Sequence, residues 1–151
     1  MIGAGLMGHG ISMACALASY HVNMVDTSTE ILARALNRTS SDFAVLVKNG
    51  LVTDEEAKSA LARIKTTTSI SDAVDGVKFV TEAVTEEIAP KKRLFRDLDQ
   101  LCPEEVVLAS NTSTFRITDI ASAVDKRSRV VGTHWWNPPY LIPLVEITKG
   151  A

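Results

Sequence analysis

The chain has 151 residues, of which 46% are hydrophobic, and its 16 basic and 18 acidic residues give a formal net charge of −2. That length and apolar content predict one compact domain with a sizeable core. The near-even charge excludes the strongly basic surface that nucleic-acid or anionic-membrane binding requires. We therefore expect a small-molecule partner, no nucleic acid and no membrane.

Cysteine usage and targeting patterns indicate where the protein works. Cys15 and Cys102 make neither a disulfide framework nor a metal-ligand set, which predicts a reducing compartment and no metal cofactor. No apolar run approaches the roughly 18 residues of a membrane span, and no cleavable signal is visible. We expect a cytoplasmic protein, or one of the mitochondrial matrix in a eukaryote.

Short apolar strands alternate with helix-length amphipathic segments, which is the pattern of a parallel sheet covered by helices. Gly50 is placed to end the second helix, and Thr53 with Glu56 forms a capping box for the third. Pro90 falls in the first turn of a later helix, where its missing amide is tolerated. The predicted helices span 6–19, 29–49, 54–64, a segment that contains Pro90, and 117–124, and the predicted strands span 22–26, 64–68, 78–84, 105–111, 129–134 and 144–148.

The opening stretch, MIGAGLMGHG, has glycines at 3, 5 and 8 ahead of an apolar helix. In the dinucleotide-binding pattern, Gly3 permits a tight turn, Gly5 lets the backbone approach a pyrophosphate, and Gly8 packs the helix closely on a strand. Asp26 ends the next predicted strand, where its carboxylate can bind ribose hydroxyls and repel a 2′-phosphate. These features predict an α/β, Rossmann-type doubly wound fold, mostly parallel with helices on both faces, and NAD as the cofactor rather than NADP.

Two other interpretations of this motif stay open. One is a glycine turn that binds no ligand, with Asp26 simply solvated. The other is a methyltransferase that binds S-adenosylmethionine, since such an enzyme also places an acidic residue at a strand end.

Several further sequence segments are similar to those of a known protein family. ASNTST occurs at 109–114 and THWWNPPYLIPLVEI at 133–147. Together with IGAGLMG at 2–8, and with EAVTEE at 82–87 and PKKRLF at 90–95, they closely resemble the NAD-binding domain of the L-3-hydroxyacyl-CoA dehydrogenase family. The resemblance covers essentially all of residues 1–151. It implies reversible, NAD-dependent oxidation of the 3-hydroxyl of (S)-3-hydroxyacyl-CoA to 3-oxoacyl-CoA, a step of fatty-acid β-oxidation.

The resemblance implies three catalytic positions. His134 would be the general base that takes the proton of the 3-hydroxyl, and Glu146 would hold its imidazole in the correct tautomer. Ser113 would hydrogen-bond the substrate oxygen. Because Glu146 lies in an apolar strand, we expect it to be a buried acid that needs a cationic or hydrogen-bonding partner. The alternatives are that His134 is an ordinary core or loop histidine and that Ser113 only caps a turn.

The resemblance also implies a cofactor-binding set. Glu86 and Lys91 match family positions that bind NAD, although Lys91 could instead face solvent. His9 and His21 do not fall in a motif of this kind, and we expect them to be structural or exposed. The full set comprises Gly3, Ala4, Gly5, Leu6, Met7, Gly8, Asp26, Glu86, Lys91, Ser113 and Asn137.

Two departures from the family pattern concern the ends of the chain. The first strand is truncated to Met1 and Ile2, so we expect a less stable fold, a looser phosphate loop and a chain that is a fragment. The family's helical C-terminal domain, which makes the dimer contact, is absent from these residues. A homodimer is therefore expected for the full-length protein, and the domain alone is expected to bind cofactor without turning over substrate.

A third departure concerns the acyl group. Positions at which the family binds coenzyme A hold Asp42 and Asn49 here, and a carboxylate at Asp42 would repel the coenzyme's phosphates. A free hydroxy acid or another small alcohol, of the carnitine, gulonate or pyridine-alcohol type, is therefore an alternative substrate. A non-catalytic NAD-binding domain is the remaining alternative.

Overall fold

Strands and helices alternate along residues 1–150, the part of the chain that the computed structural model describes. Within it, the helices are α1 (Leu6–Leu17), α2 (Thr29–Lys48), α3 (Asp54–Ala62), α4 (Ile70–Val74), α5 (Ile88–Leu101) and α6 (Ile117–Ala121). The strands are β1 (Val22–Val25), β2 (Ile64–Thr67), β3 (Phe79–Glu82), β4 (Val107–Ser110), β5 (Val130–Trp135) and β6 (Val145–Lys149). None of these helices is long and apolar enough to cross a membrane.

The sheet is mostly parallel, as the alternation of elements predicts. β1 pairs with β2, β3 with β4 and β4 with β5, all in parallel, whereas β6 pairs with β5 in the antiparallel sense. Ile2 forms isolated parallel bridges to Val25 and to Glu82, which join the two parts of the sheet. The order across the sheet is therefore β2, β1, the segment Met1–Gly3, β3, β4, β5 and β6.

The segment Met1–Gly3 occupies the centre of the sheet, between β1 and β3. Val25 donates its amide to the Met1 carbonyl at 2.9 Å, and Gly3 donates to the Val25 carbonyl at 2.9 Å. On the other side, the Ile2 amide donates to the Thr81 carbonyl at 2.8 Å. Three residues are thus enough to tie the start of the glycine loop to both neighbouring strands.

Helices cover both faces of the sheet and divide the core into two clusters. Met24 packs with residues of α1, α2 and α3, whereas the adjacent Val25 packs with residues of α4, α5 and α6. Successive side chains of a strand point to opposite faces, so these two neighbours mark the two layers. This arrangement confirms the predicted doubly wound α/β fold.

Most element ends follow local signals, and a few predictions were wrong. Gly50 adopts a positive φ of 67° after α2, and Thr53 and Glu56 form the predicted capping box at the start of α3. α3 ends at Ala62 instead of residue 64, and α6 ends at Ala121 instead of 124. The short helix α4, which begins after a Ser69 side chain that accepts from the Asp72 amide, was not predicted.

A cavity of about 500 Å³ opens at the amino-terminal ends of the central strands. Its mostly apolar walls include Met1, Val22, Val74 and Phe79. Ligands of open α/β sheets bind instead at the carboxyl ends of the strands. The functional side chains of this protein are therefore to be sought at the opposite edge, where β1, β3, β4 and β5 end.

Candidate active site

The glycine loop at the start of α1 has a backbone that larger residues could not adopt. Gly3 has φ of +94°, and a Cβ there would lie 2.6 Å from the Ala83 carbonyl oxygen. A Cβ on Gly8 would come within 1.8 Å of the Gly3 carbonyl oxygen, because the helix packs directly on the loop. Around Gly5, by contrast, a Cβ would meet no atom within 4 Å. The backbone at Gly5 is thus open to an approaching ligand.

The start of α1 can receive an anion. Gly5 is the N-cap residue of this 12-residue helix and provides no side-chain cap, so first-turn amides remain available. Free amides and the helix dipole at such an end favour phosphate groups. Of the predicted loop residues, Leu6 is 55% exposed and Ala4 is buried. These features fit a dinucleotide's pyrophosphate.

Asp26 lies immediately after β1 and is bonded to the glycine loop. Its Oδ2 accepts the Ala4 amide at 2.7 Å, and its Oδ1 accepts the Thr27 amide at 2.7 Å. The carboxylate is thereby fixed at the carboxyl edge of the sheet, beside the loop. Sequence spacing predicted this neighbourhood but not the direct bond between Asp26 and the loop.

A second group forms where β3 and β4 end. Glu86 Oε1 accepts the Thr112 hydroxyl, the Ser113 amide at 3.1 Å and the Thr114 amide at 3.2 Å. Burial opposes ionisation of this carboxyl, but the bonds from Thr112 and Lys91 outweigh it and hold the pKa of Glu86 below its ordinary value. Two predicted residues, Glu86 and Ser113, are thus brought together, and the Ser113 side chain is exposed.

Lys91 belongs to an internal ion-pair network. Its side chain is only 1% exposed, so the alternative that it faces solvent was wrong. Its Nζ donates to Glu82 Oε1 at 2.6 Å and contacts Glu86 Oε2 at 3.1 Å. Sequence reasoning assigned no role to Glu82. The signal was present in EAVTEE, because a carboxylate in a buried strand needs a cationic partner.

His134 and Glu146 meet across the antiparallel pair β5 and β6. They are register partners, and His134 Nδ1 lies 2.6 Å from Glu146 Oε2. The carboxylate requires a proton on Nδ1, which leaves Nε2 of a neutral ring free to accept one. The expectation of a buried acid was wrong: the Glu146 side chain is 52% exposed because β6 is the edge strand of the sheet. The expected partner is His134 itself.

Asn111 connects the end of β3, which carries Glu82, with the strand β5, which carries His134. Its amide donates to the Glu82 carbonyl at 2.8 Å, and its side-chain oxygen accepts the Trp135 amide at 2.8 Å. The end of β4 is therefore tied both to β3 and to the strand that carries His134. Sequence reasoning gave Asn111 no separate role. The predicted cofactor residue Asn137 is exposed and follows β5 on the same edge.

Of the two remaining histidines, one is exposed and the other is structural, as expected. His21 is exposed, and His9 is a buried structural residue. His9 Nδ1 lies 3.0 Å from the Gly5 carbonyl oxygen, and its Nε2 lies 3.0 Å from Asp42 Oδ2. The Asp42 carboxylate therefore has a hydrogen-bonding partner in the His9 ring, which makes it less available to repel phosphates than a lone carboxylate would be.

The site as a whole defines a class of protein. A glycine turn with an open position at Gly5, the uncapped start of α1 and a carboxylate after β1 make a dinucleotide-binding α/β domain. Among residues 1–150, no group of three or more His, Cys, Asp or Glu side chains could hold a metal ion.

Comparison with known proteins places the chain within this class. Residues 1–151 match the family model described as 3-hydroxyacyl-CoA dehydrogenase, NAD binding domain. The chain belongs to this family. The match confirms the family resemblance and NAD as the cofactor of the domain.

Individual relatives and solved structures agree with this family assignment. The chain is 37% identical over 148 residues to a probable 3-hydroxybutyryl-CoA dehydrogenase of Bacillus subtilis, covering 98% of this chain and 51% of that protein. It is 37% identical to the crystal structure of (S)-3-hydroxybutyryl-CoA dehydrogenase from Ralstonia eutropha, with a TM-score of 0.95 and coverage of 99% and 52%. An NAD-dependent 5-formyl-3-hydroxy-2-methylpyridine 4-carboxylic acid 5-dehydrogenase is 32% identical, with a TM-score of 0.87 and coverage of 99% and 47%. The chain thus spans about half the length of these three proteins.

Proposed function

We propose that this domain serves the reversible, NAD-dependent oxidation of the 3-hydroxyl of (S)-3-hydroxyacyl-CoA to 3-oxoacyl-CoA. The observation that carries the proposal is the contact of 2.6 Å between His134 Nδ1 and Glu146 Oε2. A histidine oriented by a carboxylate, on the same sheet as a dinucleotide loop, is suited to removing a proton from an alcohol.

The residues present fit the cofactor. The open backbone at Gly5 and the uncapped helix start would receive the pyrophosphate, and Asp26 would bind the adenosine ribose hydroxyls. Bound NAD supplies the acceptor for the hydride that leaves C3 of the substrate. The residues that would hold it are Gly3, Ala4, Gly5, Leu6, Met7, Gly8, Asp26, Glu86, Lys91, Ser113 and Asn137.

Residues of the chain itself would transfer the proton of the 3-hydroxyl. His134 Nε2 would accept the proton of the 3-hydroxyl while Nδ1 stays bonded to Glu146. The carboxylate would stabilise the imidazolium that results, because an opposite charge in contact favours the charged ring. The exposed hydroxyl of Ser113 would donate to the substrate oxygen and fix its direction. In the reverse direction His134 returns the same proton.

A free hydroxy acid is the second candidate substrate, and one observation favours it. Asp42 places a carboxylate where the family resemblance implies a coenzyme A contact, and the pyridine-acid dehydrogenase among the structural neighbours acts on a substrate that is not a thioester. The contact of 3.0 Å between Asp42 Oδ2 and His9 Nε2 counters this argument, since it engages the carboxylate within the domain. We therefore place the CoA thioester first.

Turnover tests the proposal. Two proteins are assayed: the chain itself, and a chimera in which the chain replaces the matching N-terminal half of the Bacillus subtilis relative. Each is tested for NADH oxidation with acetoacetyl-CoA and for NAD reduction with free 3-hydroxy acids. We expect the chimera to reduce acetoacetyl-CoA and to lose at least about 100-fold in kcat on His134→Gln. Activity with free hydroxy acids alone would favour the second candidate. A chimera that binds NADH but acts on neither substrate class would leave a non-catalytic NAD-binding domain.

Homodimerisation and a cytoplasmic location remain predictions for the protein that carries this domain. Analytical ultracentrifugation and imaging of a tagged protein would test them separately.

A further inference from the structure

Glu82, at the end of β3, is a fully buried carboxylate with no exposed surface. Its Oε1 accepts the Val84 amide at 2.7 Å and Lys91 Nζ at 2.6 Å. Its Oε2 accepts the Ser110 hydroxyl at 2.6 Å. A carboxylate buried in this way is tolerated only because an ammonium group and directed hydrogen bonds replace its water.

The network leads from Glu82 to the proposed cofactor residues by two branches. In the first, Lys91 Nζ binds Glu82 and also reaches Glu86 Oε2 at 3.1 Å. In the second, the Ser110 hydroxyl donates to Glu82 and accepts the Thr112 amide at 3.3 Å. Thr112 in turn donates its hydroxyl to Glu86. Both branches therefore end on the carboxylate that holds the Ser113 amide.

The position of this network in the sheet points to one half of the cofactor. In doubly wound folds each half of the sheet binds one mononucleotide, with the pyrophosphate between them. Asp26 follows β1 on one side of the central glycine loop, where the adenosine would lie. Glu82 and Ser110 end β3 and β4 on the other side, which leaves that half to the nicotinamide nucleotide.

We propose that Glu82 is a positioning residue for the nicotinamide half of the cofactor site. It keeps Lys91 and Ser110 in place, and through them it fixes Glu86 and the turn at 112–114. This inference rests on the proposed function, since it assumes that NAD is bound at this edge. Glu82 itself touches neither substrate nor cofactor.

Glu82→Gln tests the inference because it keeps the shape of the side chain and removes its charge. Lys91 would then have only Glu86 as a counter-charge, and its shift toward Glu86 would disturb the bonds to the Ser113 and Thr114 amides. Calorimetric titration compares NADH with ADP-ribose, which lacks the nicotinamide. We expect NADH to bind about tenfold more weakly to the variant and ADP-ribose to bind within about twofold of the wild-type value.

Asp99→Asn is the matched control, because Asp99 also forms a buried ion pair on α5, with Arg129, away from the site. It should lower the melting temperature without changing the affinity for either ligand.

If Glu82→Gln does not fold, Ser110→Ala removes the second branch alone. This variant should show a smaller loss of NADH affinity and no loss of ADP-ribose affinity. Equal losses for NADH and ADP-ribose, or no loss for either, would overturn the proposal. A wild-type chain that binds neither ligand would instead refute the proposed function.

Discussion

His134 and Glu146 are direct cross-strand partners of an antiparallel pair, and their side chains meet at 2.6 Å on the edge of the sheet. Partner residues in such a pair have Cβ atoms about 5 Å apart, so the register of β5 and β6 fixes this contact. β6 is an edge strand, and the His134 side chain is 34% exposed. The imidazole is thus held by the acid while it remains accessible to a substrate.

Glu146→Gln tests the carboxylate in the chimera described above. In the proposed mechanism the substitution would remove the charge that stabilises the imidazolium and would let the ring adopt the other tautomer. We expect kcat to fall by about 100-fold or more while the Kd for NADH stays within about twofold. Steady-state kinetics and calorimetry measure the two quantities. Ile147→Val, a change on the same strand at a residue that is 75% exposed, is the control and should leave both unchanged.

Substitutions at two glycines should separate folding from cofactor binding. Gly8→Ala would place a Cβ 1.8 Å from the Gly3 carbonyl oxygen, so we expect the melting temperature to fall by about 10 °C. Gly5→Ala meets no atom within 4 Å and should leave the melting temperature unchanged. Its methyl group would occupy the approach of the pyrophosphate, and NADH affinity should drop at least about tenfold. A Gly5→Ala variant that binds NADH normally would place the pyrophosphate elsewhere.

Asp26→Asn addresses the choice between NAD and NADP. The amide oxygen can still accept from the Ala4 amide and so hold the glycine loop, whereas the bond from the Thr27 amide, outside the loop, is lost. Loss of the negative charge should weaken NADH binding and relieve the repulsion of a 2′-phosphate. We expect the ratio of the NADPH and NADH Kd values to fall by about tenfold. Asp72→Asn, a surface carboxylate change in α4, serves as the control, and a ratio unchanged by Asp26→Asn would remove Asp26 from cofactor selection.

Local features of the site followed from the sequence. The spacing of Gly3, Gly5 and Gly8 predicted the turn, and the position of Asp26 at the end of a strand predicted its place beside the loop. Both rest on short-range geometry, since a glycine turn, a helix start and the next parallel strand form one βαβ unit. The capping box of Thr53 and Glu56 is predictable for the same reason.

Contacts between distant segments did not follow. Glu82, Lys91 and Ser110 come from β3, α5 and β4, and only strand order and helix placement bring them together. Glu146 was expected to be buried because its strand is apolar, but local pattern does not reveal which strand lies at an edge. Helix α4 was missed although Ser69 and Asp72 supply a capping signal, since five residues are too few for helical periodicity.

The most direct test of the account is calorimetric titration of the purified chain with NADH, NADPH and S-adenosylmethionine. We predict saturable binding of one NADH per chain, NADPH at least about tenfold weaker because of Asp26, and no binding of S-adenosylmethionine. Binding of S-adenosylmethionine in place of NADH, or NADPH bound as tightly as NADH, would contradict the account.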